Sequence, residues 1–355
     1  MHMADALLAP AVAGTMYVAS GTSAGFSIHN LKKTDYVKKL PVMAVTAALV
    51  FAGQMINYTI PGTGSSGHMC GGMMLSALLG PEAGFLSMIV ILAIQCLFFG
   101  DGGLMALGAN VWNMAFYGCF VGYYLIWRPI MKSKMFKGMA PSAAARLKVI
   151  IAAILGCVLT LQLGALSVVI ETSISGITEL PFGAFVALMQ PIHLAIGLVE
   201  GLVSAAVLVF ICETRPELLM DVDTTGMKAP EKLSIKGVIV TLAIVTLLTA
   251  GIFSLFASSN PDGLEWSLFG NEEAGYSVNM GLDEDNYGVT SQIADTSATI
   301  QEHTAFLPDY AFKNSESAVG TSVSGVVGSL MVAGLIAVVA VIKSVFKRKK
   351  QAALN

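Results

Sequence analysis

Met1-His2 opens the chain with a ready-made metal chelator. In that order the α-amine, the His2 main-chain nitrogen and the His2 imidazole can bind one ion. They close two adjacent small chelate rings and leave one planar position for a further ligand. A plane of nitrogens suits Ni(II) or Cu(II), whereas Zn(II) prefers a tetrahedron. Met-His also occurs by chance at the start of a chain, so the rest of the sequence must supply the fourth donor. His68 is the leading candidate. It follows Pro61-Gly62-Thr63-Gly64-Ser65-Ser66-Gly67, a small-residue loop in which backbone and side chains can pack closely. Gly67 and Gly71 stand at the small-xxx-small spacing that favours tight helix contact in lipid. The plainer reading of His68 is a polar residue at a helix end near headgroups.

His193 precedes Glu200 by about two helical turns, so the two share a face. Ionisable groups at membrane depth usually face the bundle interior. The pair is open to a structural polar contact or to a direct metal or proton role. His29, beside Lys32 and Lys33, reads as interfacial, and His303, in an acidic stretch, as a surface residue.

The elements that must position these residues are membrane helices. The 355 residues are 55% hydrophobic and 12% charged, with mean hydropathy +0.73, well outside soluble composition. Apolar stretches recur at about 5–28, 41–60, 84–99, 103–127, 149–170, 182–211, 237–257 and 322–343, with a shorter one at 67–79. Counting the short segment predicts an all-α polytopic membrane protein of about nine transmembrane helices; a re-entrant short segment would leave eight. Nine crossings with the amino terminus outside and the carboxyl terminus inside put 19 of the 20 Lys and Arg residues on inner connections, all but Lys313. The outer segment 258–321 holds 11 Asp and Glu. This topology predicts Met1-His2 and His68 on the same, outer face. The first segment lacks a basic n-region and runs apolar past the length of a signal peptide, so it is expected to be retained despite small-residue sites such as Ala11-Val12-Ala13.

Other signals carry less. Gly62-Thr63-Gly64-Ser65-Ser66-Gly67 matches G-x-G-x-x-G, but that motif needs a βαβ setting and here membrane segments flank it. No G-x-x-x-x-G-K-[ST] loop occurs, which excludes ATP hydrolysis by the P-loop route within this chain. The five cysteines are scattered without C-x-x-C spacing, and most of the 19 methionines lie singly in apolar runs as packing material. No compact nucleophile or acid–base constellation marks an enzyme, and no feature points to nucleic acid.

Met1-His2-Met3-Ala4-Asp5-Ala6-Leu7-Leu8, Pro61-Gly62-Thr63 through Ser66-Gly67-His68, Asp101-Gly102-Gly103-Leu104, Ala106-Leu107-Gly108-Ala109-Asn110 and Asn113-Met114-Ala115-Phe116 together resemble the M subunit family of cobalt/nickel energy-coupling-factor (ECF-type ABC) transporters. His193-Leu194-Ala195-Ile196-Gly197 with Glu200-Gly201 fits the same family. Residues 236–345 resemble the small N subunit of these systems, through Asn260-Pro261-Asp262-Gly263-Leu264-Glu265 and Pro308-Asp309-Tyr310. The resemblance implies an M–N fusion: an M-type domain over 1–212 with about seven helices, an inner linker over 213–236, an N-type domain over 237–345 with two helices around 258–321, and a basic tail over 346–355. It implies a multi-pass protein of a prokaryotic plasma membrane that captures a metal ion and hydrolyses nothing itself. Its partners would be a transmembrane scaffold (T) subunit, a pair of cytoplasmic ATPases and membrane lipid.

The resemblance also implies the ligand set already considered from chemistry: Met1, His2 and His68 around a planar four-nitrogen site. Asn110 and Asn113 are expected to orient the ligand histidines or to pack between helices. No permanent cofactor is expected; the ion is transported. Met3-Ala4-Asp5-Ala6-Leu7 looks most like the fused nickel transporters associated with lactate racemase, and planar nitrogens favour Ni(II), with Co(II) the alternative. A proton-coupled secondary metal transporter relying on Glu200 and His193, and a sensor or assembly subunit, remain the rival classes.

Overall fold

The computed structural model describes residues 1–33, 39–176, 181–227, 233–277, 288, 291–313 and 317–352. Lys38, Lys228, Lys232 and the acidic run Asp283-Glu284-Asp285 lie outside them, as do the side chains of the basic tail. The chain is mostly helical. In order it forms α1 (Pro10–Leu31), α2 (Leu40–Gln54), a hairpin of β1 (Tyr58–Ile60) and β2 (Ser65–Gly67), α3 (Gly72–Leu79) and α4 (Pro81–Ile94). A π-helical turn, Gln95–Phe99, prolongs α4. Next, α5 (Leu107–Asn110) runs through a π-helix (Val111–Trp127) into α6 (Arg128–Lys132), and α7 (Pro141–Ile174) and α8 (Phe182–Thr214) follow. The remainder comprises α9 (Ile235–Gly251), α10 (Gly263–Phe269), a hairpin of β3 (Gly270–Asn271) and β4 (Tyr276–Ser277), α11 (Gln292–Thr304) and α12 (Ala318–Ala352).

Local sequence accounts for several boundaries. Pro10, Pro81 and Pro141 occupy first helical positions, where the missing N–H has no helical partner to lose. Gly80, with φ +89°, separates α3 from α4. Helices α7 and α8 pack with their backbones in close approach. A Cβ on Gly197 would stand 2.9 Å from Val158 Cα, and one on Gly201 2.8 Å from Ile154 Cα.

Among the described residues, five helical stretches are long and apolar enough to cross a bilayer: Pro81–Phe99, Pro141–Ile174, Phe182–Thr214, Ile235–Phe256 and Ala318–Val339. Leu40–Gln54 is a shorter apolar helix. The short predicted segment becomes α3, whose eight residues are all buried. It rises only about 12 Å at 1.5 Å per residue, against a hydrocarbon core of about 30 Å. The two hairpins are the other departure from an all-helical expectation. The G-x-G-x-x-G stretch supplies the β1–β2 turn, with Gly62 and Gly64 at positive φ, and then strand β2 itself.

The connections gather at two ends. At one, Met220 N–H donates to Ala77 O (2.8 Å), Trp127 Nε1–H donates to Met220 O (2.8 Å), and Arg128 and Lys132 lie 3.7 and 3.4 Å from Asp221. At the other end sit Met1, His68, Asp101, Asp262 and Tyr310. Helices α9 and α12 pack on α2, with Ser329 Oγ donating to Ala48 O (3.3 Å). From the chain between α9 and α12, Asp262 and Tyr310 reach the second end.

Candidate metal centre

The first nine residues do not belong to the first helix, which begins only at Pro10. They turn into the interior, with Met1, Met3, Leu7 and Leu8 buried. Each such side chain contributes roughly 1.5–3 kcal/mol toward holding the segment there. Hydrogen bonds then fix its register. Met3 N–H donates to Asn110 Oδ1 (2.7 Å), while Met3 O accepts from Asn110 Nδ2 (3.1 Å) and from Gly103 N–H (2.9 Å). Asp5 Oδ1 accepts from Ala106 N–H (2.9 Å). The Met1 side chain fills space that glycine provides: a Cβ on Gly164 would stand 3.1 Å from Met1 Cε and 2.5 Å from Asn113 O.

This insertion delivers the Met1 amine to 3.4 Å from His68 Nε2. The His2 and His68 rings stack, with centroids 5.1 Å apart and planes inclined by 18°. His68 Nδ1 lies 3.1 Å from Met69 O and donates to it, which leaves the Nε2 lone pair facing the amine. Two carboxylates complete the arrangement. Asp262 Oδ2 pairs with the amine at 2.6 Å, while its Oδ1 accepts from Leu264 N–H and Glu265 N–H (2.8 and 2.9 Å) and caps α10. Asp101 Oδ1 lies 3.0 Å from His2 Nδ1, and its Oδ2 accepts from the Tyr310 hydroxyl (2.5 Å). His2 Nε2 is buried without a hydrogen-bond partner.

The electrostatics favour neutral imidazoles. Burial, reinforced by the adjacent amine, lowers His2 to about 3. Burial, the amine and His2 lower His68 to about 4. Burial pushes the Asp262 carboxyl up, but the amine and His68 beside it outweigh that and hold it below its ordinary value. Burial raises Asp101, opposed by the Tyr310 hydrogen bond. Deprotonated imidazoles at neutral pH are the form a metal needs. Among the described residues, no group of three or more His, Cys, Asp and Glu side chains is arranged to hold a metal. An ion here would therefore depend on main-chain nitrogen as well as imidazole.

The remaining expected residues take separate places. Asn113 Nδ2 donates to Glu171 Oε2 (2.8 Å), a carboxylate that also accepts from Ser167 Oγ (3.0 Å). Neither asparagine has a hydrogen bond to a histidine among the described residues; Asn110 acts on the Met3 backbone instead. His193 and Glu200 share the buried face of α8, but their hydrogen bonds go elsewhere. His193 Nδ1–H donates to Met189 O (2.8 Å). Glu200 accepts from Cys70 N–H and Gly71 N–H, both at 2.8 Å, and so anchors the loop that carries His68. His303, exposed on α11, bonds within its own helix.

A covering layer comes from the carboxyl-terminal part. The Ser66 main chain donates to Pro261 O (2.8 Å), its hydroxyl donates to Asn260 O (2.7 Å), and Asn271 Nδ2 donates to Gly64 O (2.8 Å). A polar cavity of about 950 Å³, lined by His2, His68, Asp101, Asp262, Glu272 and Glu273 among others, opens beside this layer. A second of about 540 Å³ reaches His2 and Asp262 past Asp5 and Gln301. Sequence reasoning missed Asp101, Asp262, Tyr310 and Glu171 as members or supports of the centre. Asp262 and Tyr310 stood inside stretches already singled out, but nothing in their spacing linked them to Met1.

Helices of membrane length around a buried, nitrogen-rich centre define a multi-pass membrane protein suited to handling a transition-metal ion. Residues 2–218 match the cobalt uptake substrate-specific transmembrane region, CbiM, and residues 236–344 match the PDGLE domain. The chain belongs to the CbiM family, fused to a PDGLE domain. It is 36% identical over 337 residues (94% of this chain, 96% of the relative) to a protein of Archaeoglobus fulgidus assigned as a fused nickel transport protein NikMN. It is 32% identical over 276 residues (75% and 78%) to one of Lactiplantibacillus plantarum assigned as a fused nickel transport protein LarMN. A crystal structure of a truncated transition metal transporter aligns with TM-score 0.51 at 31% identity, covering 60% of this chain and 99% of that one. The protein is a membrane component of metal uptake, related to nickel and cobalt transport proteins.

Proposed function

We propose that this chain captures Ni(II) at the outer face for an importer driven by separate ATPases, with Met1, His2 and His68 as ligands. The convergence of the Met1 amine with His68 Nε2 and the stacked His2 ring, from opposite ends of a 66-residue separation, carries the reading. The chelate closes a five-membered ring through the amine and the His2 amide nitrogen, and a six-membered ring through His2 Nδ1. That nitrogen faces Asp101 in the structure, so the imidazole turns about Cβ–Cγ as the ion binds. His68 Nε2 supplies the fourth donor. Loss of protons from the amine and the amide makes capture stronger as pH rises. Planar nitrogen coordination favours Ni(II) over Co(II), and the relatives assigned to nickel agree with that order; Co(II) is the second reading.

The segregation of basic connections at one end and the centre at the other supports a nine-segment arrangement with the amino terminus outside. In it, α3 links the buried His68 loop to the basic end without spanning the bilayer alone. A scaffold subunit and cytoplasmic ATPases would then supply the inward-opening motion. The PDGLE domain covers the centre and lines acidic cavities that concentrate cations.

Anaerobic Ni(II) titration of the purified chain, with intact-mass confirmation of a free Met1 amine, tests the assignment. A one-to-one planar spectrum is expected, abolished by one extra residue before Met1, by His2→Ala, and weakened at least tenfold by His68→Ala. Unchanged binding by the extended chain would refute the chelate.

A further inference from the structure

His193 is the one buried histidine that the capture site leaves unused. It is 1% exposed, and its Nδ1–H is committed to Met189 O in the same helix, so Nε2 keeps its lone pair. That lone pair is buried with no partner. Buried polar atoms are rarely left so, and each such case calls for a physical reason. The ring borders a cavity of about 10 Å³ shared with Met1, His68, Cys70, Asp262 and Gly263. That volume is about one water-sized sphere, room for a single water or ion and nothing larger. The covering layer touches the same ring: a Cβ on Gly263 would stand 3.1 Å from His193 Cε1, while the preceding Asp262 holds the Met1 amine. Two consecutive residues of the PDGLE domain thus contact the capture site and His193 together.

Resting on the capture reading above, we propose that His193 Nε2 is a transfer ligand, a second donor in the same covered cavity that passes the ion between the covering layer and the planar site. Imidazole nitrogen suits the same borderline metals as the planar site. Its isolation fits transit rather than storage, since among the described residues no three metal-ligating side chains surround it. A single donor binds weakly enough to release what it receives, as a conduction step requires. Glu200, further along the same face, does not compete for the ion, because both its oxygens serve the Cys70 and Gly71 N–H groups.

The test combines equilibrium Ni(II) binding by the purified full chain with nickel and cobalt uptake by cells carrying the chain and its transport partners. In His193→Leu, uptake is expected to fall at least tenfold while Ni(II) affinity falls no more than threefold. His193→Cys, which substitutes a sulfur donor, is expected to recover part of the uptake and to shift the nickel-to-cobalt uptake ratio at least threefold without a matching shift in binding. A packing role would not produce that change in ratio. Normal uptake in His193→Leu, equal losses of binding and uptake, or identical behaviour of the Leu and Cys variants would each overturn the proposal. If His193→Leu does not fold, His193→Gln is read in its place against the Cys variant by the same criteria. Failure of the capture reading itself shows separately, as absence of planar Ni(II) binding by the unsubstituted chain.

Discussion

Asp262 and Glu200 solve the same local problem on opposite sides of the candidate centre, with different consequences. Each carboxylate accepts two consecutive main-chain N–H groups, Leu264 and Glu265 for the half-buried Asp262, Cys70 and Gly71 for the buried Glu200. Asp262 receives both on Oδ1 and keeps Oδ2 for the Met1 amine. Glu200 spends one oxygen on each N–H, and the Cys157 thiol also leans on Oε1 (3.7 Å). The first carboxylate therefore touches a candidate ligand, whereas the second can only hold the loop on which another ligand rides. What a buried acid can do is set by how its lone pairs are already used, more than by its distance from the site.

The strongest way to break this contrast is Glu200→Gln. An amide offers one acceptor and turns an NH2 group toward a main-chain donor, leaving a buried N–H unsatisfied. A loss of about 3 kcal/mol is expected. Displacement of the His68 loop should weaken Ni(II) binding at least tenfold, read by thermal unfolding and by titration. If stability falls while binding stays intact, Glu200 does not position His68.

Asp262 should respond more mildly and in separable parts. Asp262→Asn preserves a good helix cap and removes only the ion pair, whose acid is 22% exposed, so about 1–2 kcal/mol of metal-free stability is expected to go. Asp262→Ala should lose about 1 kcal/mol more, the typical worth of the α10 cap. Equal melting temperatures for the two variants would mean that the cap contributes nothing.

Acid sharpens the contrast further, because the titrating histidines stand on the Asp262 side. His2 and His68 titrate near 3 and 4 in the folded chain, against 6.5 when unfolded. Below about 6.5 the unfolded chain takes up protons that these rings refuse, so their contribution lowers stability as pH falls toward 4 and is constant above 6.5. Asp262, with its value lowered, keeps supporting the fold until pH falls below the ordinary carboxylate range. Metal-free melting temperature should drop by several degrees between pH 6.5 and 4.5, and by less in His68→Gln. The smallest effect is expected from Gly263→Ala, whose methyl would press on His193, Ile192 and Ile196 at 3.1–3.2 Å and lower the melting temperature by a degree or two.

Much of the architecture was legible because hydrophobic length and basic-residue placement are one-dimensional signals. They located the five helices that, among the described residues, are long and apolar enough to cross a membrane. They left 67–79 open between a crossing and a re-entrant segment, and α3 is too short to span by itself. They failed at the start of the chain, where an apolar run from residue 5 concealed a break at Pro10. Asn110 was singled out, but as a partner for histidines; its side chain instead makes a two-point clamp on Met3, a match of main-chain geometry that no spacing announces.

The sequence by itself marked Met1, His2 and His68 as candidate donors, because donor types and the chelate rings that adjacent residues can close are written in the residue order. It also determined that the chain lives in a membrane, through composition alone. Tertiary structure decided that the first nine residues fold inward, that Asp262 and Tyr310 come from the far end of the chain to Met1 and Asp101, and that His193 and Glu200 face different partners despite sharing a helix face. Contacts across hundreds of residues depend on how helices pack and on which lone pairs remain free after the backbone is satisfied. Neither has a period that can be read along a sequence.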